Sequence, residues 1–224
     1  MENRIVLVIA VHPDDETLGC GGTILKHKEN GDLIYWLILT KANQFITKIP
    51  DVTHVQLKYV NEVAKEYDFD GWKQLNFMTT ELDQYPLSEI INEVSAYINE
   101  IKPTYIYLHH FADVHSDHKV AFDAVYSCTK NFRYPFIEKI LLFETLSETE
   151  FAPAIRNNVF VPNVFSDITP YMEKKLQIMQ LFTTEQMEEP LPRALSTIKA
   201  LARYRGSRIG VEYAEAFTLL FEKN

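Results

Sequence analysis

Apolar residues in this chain come in short dense runs: "RIVLVIA" (4–10), "LIYWLILT" (33–40), "TYIYLHH" (104–110) and "IEKILLFET" (137–145). Runs of this length, rich in β-branched and aromatic residues, predict strands buried on both faces. Between them, residues 17–30, 53–67, 87–101 and 117–130 carry helical spacing, the third with Pro86 just ahead and Pro103 just after. Strand and helix in alternation mean βαβ units and a mostly parallel sheet. From Pro170 the chain turns more helical, with "MEKKLQIMQLF" and "RALSTIKALARY" as amphipathic segments, then "RGSRIGVEYAEAF" before a short apolar end. The expectation is an α/β fold of three layers, a Rossmann-like, mostly parallel sheet with helices on both faces. No repeat, low-complexity tract or Gly/Ser linker interrupts it, so residues 1–224 are expected to form a single domain.

In open sheets of this kind the ligand crevice lies beyond the carboxyl ends of the strands. The first and third runs end in "VHPDDE" and "HHFADVHSDH", which places both charged clusters on one sheet edge. Pro13 disfavours a helical conformation at His12 and fits a turn leaving the strand. Asp14 and Asp15 follow, where successive side chains point in different directions, so one can bind a metal while its neighbour faces water. A simpler reading has Asp14, Asp15 and Glu16 capping a helix and complementing its dipole, but capping needs one carboxylate and leaves the histidine unexplained. In the second cluster His115 and His118 stand three residues apart and share a helical face, with Asp113 and Asp117 beside them. His109 and His110 read as core or rim residues.

Together the clusters hold enough ligands for a catalytic zinc site, which takes three protein ligands and keeps a position for water. The metal would lower the pKa of its water to roughly 7, a nearby carboxylate would take the proton, and a second imidazole, protonated, would stabilise the oxyanion. The "GCGG" at 19–22 fits neither a dinucleotide fingerprint nor a phosphate loop, and its glycines are expected to let the first helix pack closely on the sheet.

Composition narrows the partners. A formal net charge of -9 would repel a phosphate backbone, and no basic stripe offsets it, so no nucleic-acid partner is expected. No signal-like h-region or membrane-length apolar stretch is present, and a cytoplasmic protein is expected. Cys20 and Cys128 lie far apart and read as core residues. Aromatics in the helical tail leave room for a homo-oligomer.

The motifs His12-Pro13-Asp14-Asp15-Glu16 and His115-Ser116-Asp117-His118 resemble those of the LmbE/PIG-L group of zinc-dependent N-deacetylases. "RG" at 205–206, "AEAF" at 214–217 and "SETEF" at 147–151 are similar to further stretches of that family, so the likeness spans most of the chain. The resemblance implies that His12, Asp15 and His118 hold zinc and that Asp14 is the general base. It makes His115 the electrostatic stabiliser, with Asp117 orienting a catalytic histidine. It also implies a small-molecule substrate, an N-acetylglucosamine-type amino sugar or its conjugate, losing acetate. Where many relatives carry a sugar-contacting arginine and a glutamate three residues later, this chain has Gln56 and Tyr59. Asp113 and Arg205 are candidates for substrate contact or for ion pairs.

Two histidines and a carboxylate also make the triad of non-haem Fe2+ enzymes, though that reading leaves Asp14 without a task. A non-catalytic carbohydrate-binding relative is a further alternative, against which Asp14 argues. A serine hydrolase lacks its G-x-S-x-G elbow. The sequence leaves the acetylated compound open among a free sugar, a nucleotide sugar, a thiol conjugate and a glycolipid.

Overall fold

The computed structural model describes residues 3–45 and 49–223. The chain runs β1 (Ile5–Ala10), α1 (Asp15–Glu29), β2 (Leu33–Lys41), α2 (Val52–Glu66), β3 (Gly71–Met78), α3 (Leu87–Ile101), β4 (Tyr105–His109) and α4 (Ser116–Ser127). It continues with β5 (Lys139–Phe143), β6 (Val164–Asp167), α5 (Met172–Met179), α6 (Leu195–Ser207) and β7 (Ala214–Glu222). The strands form one sheet in the order β3-β2-β1-β4-β5-β7-β6. β1 to β5 pair in parallel, and β7 runs antiparallel to both β5 and β6.

Alternation along β1 shows why the strand is apolar throughout. Val6, Val8 and Ala10 join a core shared with α1, α2, α5 and α6, whereas Leu7 and Ile9 join a core shared with α3 and α4. A strand buried on both faces has no room for a polar residue on either. The expected α/β layering is therefore the architecture observed.

Three strands escaped the apolar pattern. β3 lies at the sheet edge, half-exposed, and Lys73, Gln74 and Asn76 break its apolar run. β6 is only four residues long. β7 occupies what the sequence suggested was a short apolar end after a helical tail, and its nine residues are the antiparallel member of the sheet.

The topology creates the crevice. β1 and β4 are neighbours, yet α1 packs on one face of the sheet and α4 on the other. The loops leaving the two strands diverge, and a hollow opens at their carboxyl ends.

The first helix is not continuous. Cys20 departs from helical geometry (φ -144, ψ 19), and beyond it the amides of Gly22 and Thr23 donate to the Glu215 carboxylate at 2.8 and 2.7 Å. Glu215 acts as a cap supplied by β7 for the second half of the helix. Lys175, buried at 2 % exposure, closes the arrangement by donating to Glu215 at 2.7 Å and to the Leu18 carbonyl at 2.9 Å. The glycines of "GCGG" permit close approach, as expected: a Cβ on Gly19 would stand 2.1 Å from the Phe143 ring, and one on Gly22 would stand 2.7 Å from Ile168.

Removing the carboxylate leaves a buried ammonium without its counter-charge and two amides without an acceptor. Glu215→Ala is expected to lose about 3–5 kcal/mol in urea unfolding and to lower Tm by on the order of 10 °C. A loss under about 1 kcal/mol would mean that the buried pair contributes little.

Candidate metal centre

Two loops build the site, one after β1 and one before α4. In the first, Asp14 has a positive φ of 151°, a conformation that costs a non-glycine residue on the order of 1–3 kcal/mol and is characteristic of functional sites. Its amide donates to Glu16 Oε2 at 3.2 Å and its carbonyl accepts from the Leu18 amide at 2.9 Å, which pins the turn. Neither Asp14 nor Asp15 caps the helix with its side chain: Asp14 makes no cap hydrogen bond, and Asp15 turns back toward the strand. Asp15 Oδ2 accepts from the amides of Val11 and His12 at 2.9 and 2.8 Å.

In the second loop His115 is the cap of α4, its Nδ1 accepting the Asp117 amide at 3.1 Å. His118, one turn on, is fully buried and presents Nε2 to Asp15 Oδ2 at 3.4 Å. Its Nδ1 donates to Asp113 Oδ2 at 2.9 Å, and Asp113 Oδ1 accepts from the Thr149 hydroxyl at 2.7 Å. His12 Nε2 lies 3.0 Å from Asp117 Oδ2. The Asp117 carboxylate also accepts from the amides of Thr80 at 2.6 Å and Leu82 at 3.1 Å.

Ligand atoms of His12, Asp15 and His118 all lie within 4.8 Å of one another, and those of His12, His115 and Asp117 meet the same limit. Chemistry separates the two sets. Asp117 is spent on two amides and an imidazole. His118 Nε2, by contrast, is a buried nitrogen without a hydrogen-bond partner. Two ligand atoms on one tetrahedral zinc stand ~3.4 Å apart, which matches the separation of His118 Nε2 from Asp15 Oδ2. Orphaned buried polar atoms are rare, and a divalent cation would satisfy this one, so the first set fits a metal.

Burial governs the charges. It opposes the charged forms of both Asp15 and His118, but their mutual attraction outweighs it, holding the carboxyl well below its usual range and the imidazole well above. Burial, with Asp15 and Glu185 nearby, pushes the Asp14 carboxyl well up against the opposing pull of Arg193. Burial also raises Glu16 to about 8 and, with His12 and His118, lowers His115 to about 4.

His12, Asp14, Asp15 and His115 line a cavity of about 290 Å3 together with Gln56, Tyr59 and Arg193. Gln56 Oε1 is already engaged by the Ala42 amide at 2.8 Å and Gln74 Nε2 at 2.9 Å. Asp113 stands behind His118 rather than on the cavity wall, and Arg205 forms a two-pronged pair with Glu144 outside this cavity. Asp117, expected beside a catalytic histidine, places its carboxylate on His12, with His115 Nδ1 at 3.9 Å.

Arg193 went unnoticed in the sequence. Its Nη1 donates to both Asp14 Oδ2 and Glu185 Oε2 at 3.1 Å, but it lies in "EEPLPRALS", where no spacing marks it. Thr149 did have a signal, since it falls within "SETEF". His109 and His110 are buried behind the site, His109 Nε2 donating to the His118 carbonyl at 2.6 Å.

Residues 7–129 match the family model described as PIG-L, GlcNAc-PI de-N-acetylase. That is more than half of the chain, and the protein belongs to this family. It is 26% identical over 217 residues to diacetylchitobiose deacetylase of Thermococcus kodakarensis, covering 94% of this chain and 80% of the relative. Among solved structures, a conserved protein of Thermus thermophilus superposes with TM-score 0.78 at 24% identity, covering 98% of this chain and 96% of the other. The N,N'-diacetylchitobiose deacetylase of Pyrococcus horikoshii, solved with an inhibitor, superposes with TM-score 0.75 at 22% identity, covering 98% and 84%. These likenesses establish a common fold.

Asp113 fixes the His118 ring and its tautomer through one hydrogen bond. Asp113→Asn is therefore expected to weaken divalent-ion binding by roughly 10–100-fold in competition with a chromophoric chelator. Unchanged affinity would remove Asp113 from the support of the ligand.

Proposed function

We infer that the protein is a zinc-dependent N-deacetylase: it hydrolyses the acetamido group of an N-acetylglucosamine-type amino sugar or its conjugate to acetate and free amine. The observation that carries this reading is the meeting of His12, Asp15 and His118 around an unsatisfied imidazole nitrogen, with Asp14 beside them on a cavity wall. Family membership and the named activity of the Thermococcus relative support it.

In this scheme each ligand histidine is set by its own carboxylate. Asp113 accepts from His118 Nδ1 and leaves Nε2 as the electron-pair donor, while Asp117 accepts from His12 Nε2 and leaves Nδ1. When bound, zinc supplies Lewis acidity toward the acyl oxygen and toward water. Asp14 takes a proton from the attacking water and passes it to the departing nitrogen. Its unusual backbone angle and its contact with Arg193 hold the carboxylate at the cavity wall. His115, whose Nδ1 accepts the Asp117 amide, carries its hydrogen on Nε2 and donates it to the oxygen that gains charge. This makes His115 a neutral donor, where a protonated imidazole was the expectation from residue type. Asn43, Tyr59, Thr79 and Glu148 offer polar contacts for a sugar.

The test joins metal content to product release. Wild-type protein loaded with zinc should free acetate from N-acetylated amino sugars, and chelation should stop it until zinc is restored. Asp14→Asn should keep its zinc yet slow acetate release by about 10²–10⁴-fold. A variant of near wild-type rate would exclude Asp14 as the base, and a wild type that hydrolyses no acetylated amino sugar would overturn the function itself.

A further inference from the structure

Four carboxylates line the candidate catalytic cavity: Asp14, Asp15, Glu148 and Glu185. Three are committed. Asp14 and Glu185 share the Arg193 guanidinium at 3.1 Å each, and Asp15 is held by two amides and faces His118. Glu148 makes no ion pair among the described residues, where its carboxylate accepts only from the neighbouring Ser147 hydroxyl at 3.3 Å. Arg193, the sole lysine or arginine among the described residues of the wall, is already shared by two acids.

The backbone keeps this carboxylate at the wall. Ser147, just before it, has φ 78°, a left-handed conformation rare for a residue with a side chain. Residues held in this way cluster at functional sites. The Glu148 carbonyl accepts from the Val114 amide at 3.1 Å, which braces the turn against the loop that carries His115. Thr149, in the same turn, supports Asp113 and through it His118. Burial pushes the Glu148 carboxyl up, against the pull of His118, and a cation placed beside it would relieve that cost.

The reaction inferred for the cavity makes such a cation. Hydrolysis of an acetamide at neutral pH consumes one water: its oxygen leaves in acetate, and both its hydrogens end on the nitrogen, which becomes an ammonium. In the substrate the same nitrogen is a neutral N–H donor, so a carboxylate beside it gains strength as the bond to carbon breaks. We propose that Glu148 is the amine anchor of the cavity, accepting the N–H of the acetamido group and pairing with the ammonium that forms from it. The proposal rests on the deacetylase reading and adds a residue that recognises the nitrogen rather than the acyl carbon. Asp14 moves the proton, and Glu148 stabilises the place where it ends.

Titration of the zinc-loaded chain with glucosamine and with glucose, neither of which is an acetamide, measures the anchor without turnover. At neutral pH the wild type should prefer glucosamine. Glu148→Gln should lose on the order of tenfold in glucosamine affinity with glucose little changed, as for a charge-assisted hydrogen bond. Glu148→Asp, which keeps the charge on a shorter arm, should recover part of that loss. Glu185→Gln, which removes a carboxylate already paired with Arg193, should cost glucosamine less than about threefold. No preference for the amine in the wild type, equal losses for both sugars in Glu148→Gln, or as large a loss from Glu185→Gln would overturn the anchor. If glucosamine binding behaves as expected while the wild-type chain frees no acetate from acetylated amino sugars, the anchor stands and the deacetylase reading falls.

Discussion

The site depends on one buried carboxylate. Asp15 is 2% exposed, and its Oδ2 is held by the amides of Val11 and His12 while facing the His118 ring. A lone charge at such depth would be prohibitively unfavourable, and the strand end supplies only neutral dipoles. Balance must come from the other loop, which ties the end of β1 to the start of α4. The helix after β1 is left without a side-chain cap, because Asp14 at its N-cap turns its carboxylate to Arg193 and Asp15 turns back to the strand end.

Around that centre the acids divide their work. Asp113 and Asp117 each hold one imidazole and each is anchored in turn, the first by the Thr149 hydroxyl and the second by the amides of Thr80 and Leu82. Strands that are neighbours in space but far apart in the chain thus contribute both the candidate ligands and the groups that aim them. The rings are fixed by hydrogen bonds to loops of different elements, so no single loop can shift without disturbing its partner.

The apolar runs foretold β1, β2, β4 and β5 because those strands are buried on both faces, and the helical spacing placed α3 at its observed bounds. β3 was hidden because an edge strand tolerates Lys73 and Gln74, and β7 because its glutamates sit among apolar residues. In the site, the residues that could be read were those concentrated in two short motifs. Arg193 reaches Asp14 across 179 positions of sequence, and Glu144 reaches Arg205 across 61. Pairings of that kind arise from the closure of the fold, and no local period records them. The direction of Asp117 was equally illegible, since its neighbour in sequence is His118 but its carboxylate meets His12.

Glu215 carries one further implication. The cap it lends to α1 links residues 193 positions apart, so the first helix is completed only after the last strand has been made and docked. A nascent chain lacking that strand has the motif-bearing segment already outside the ribosome with the second half of its helix unfinished. Contacts of such long sequence separation slow folding and prolong exposure of apolar surface. Completion of α1 is therefore a late event in this fold, following the synthesis and docking of β7.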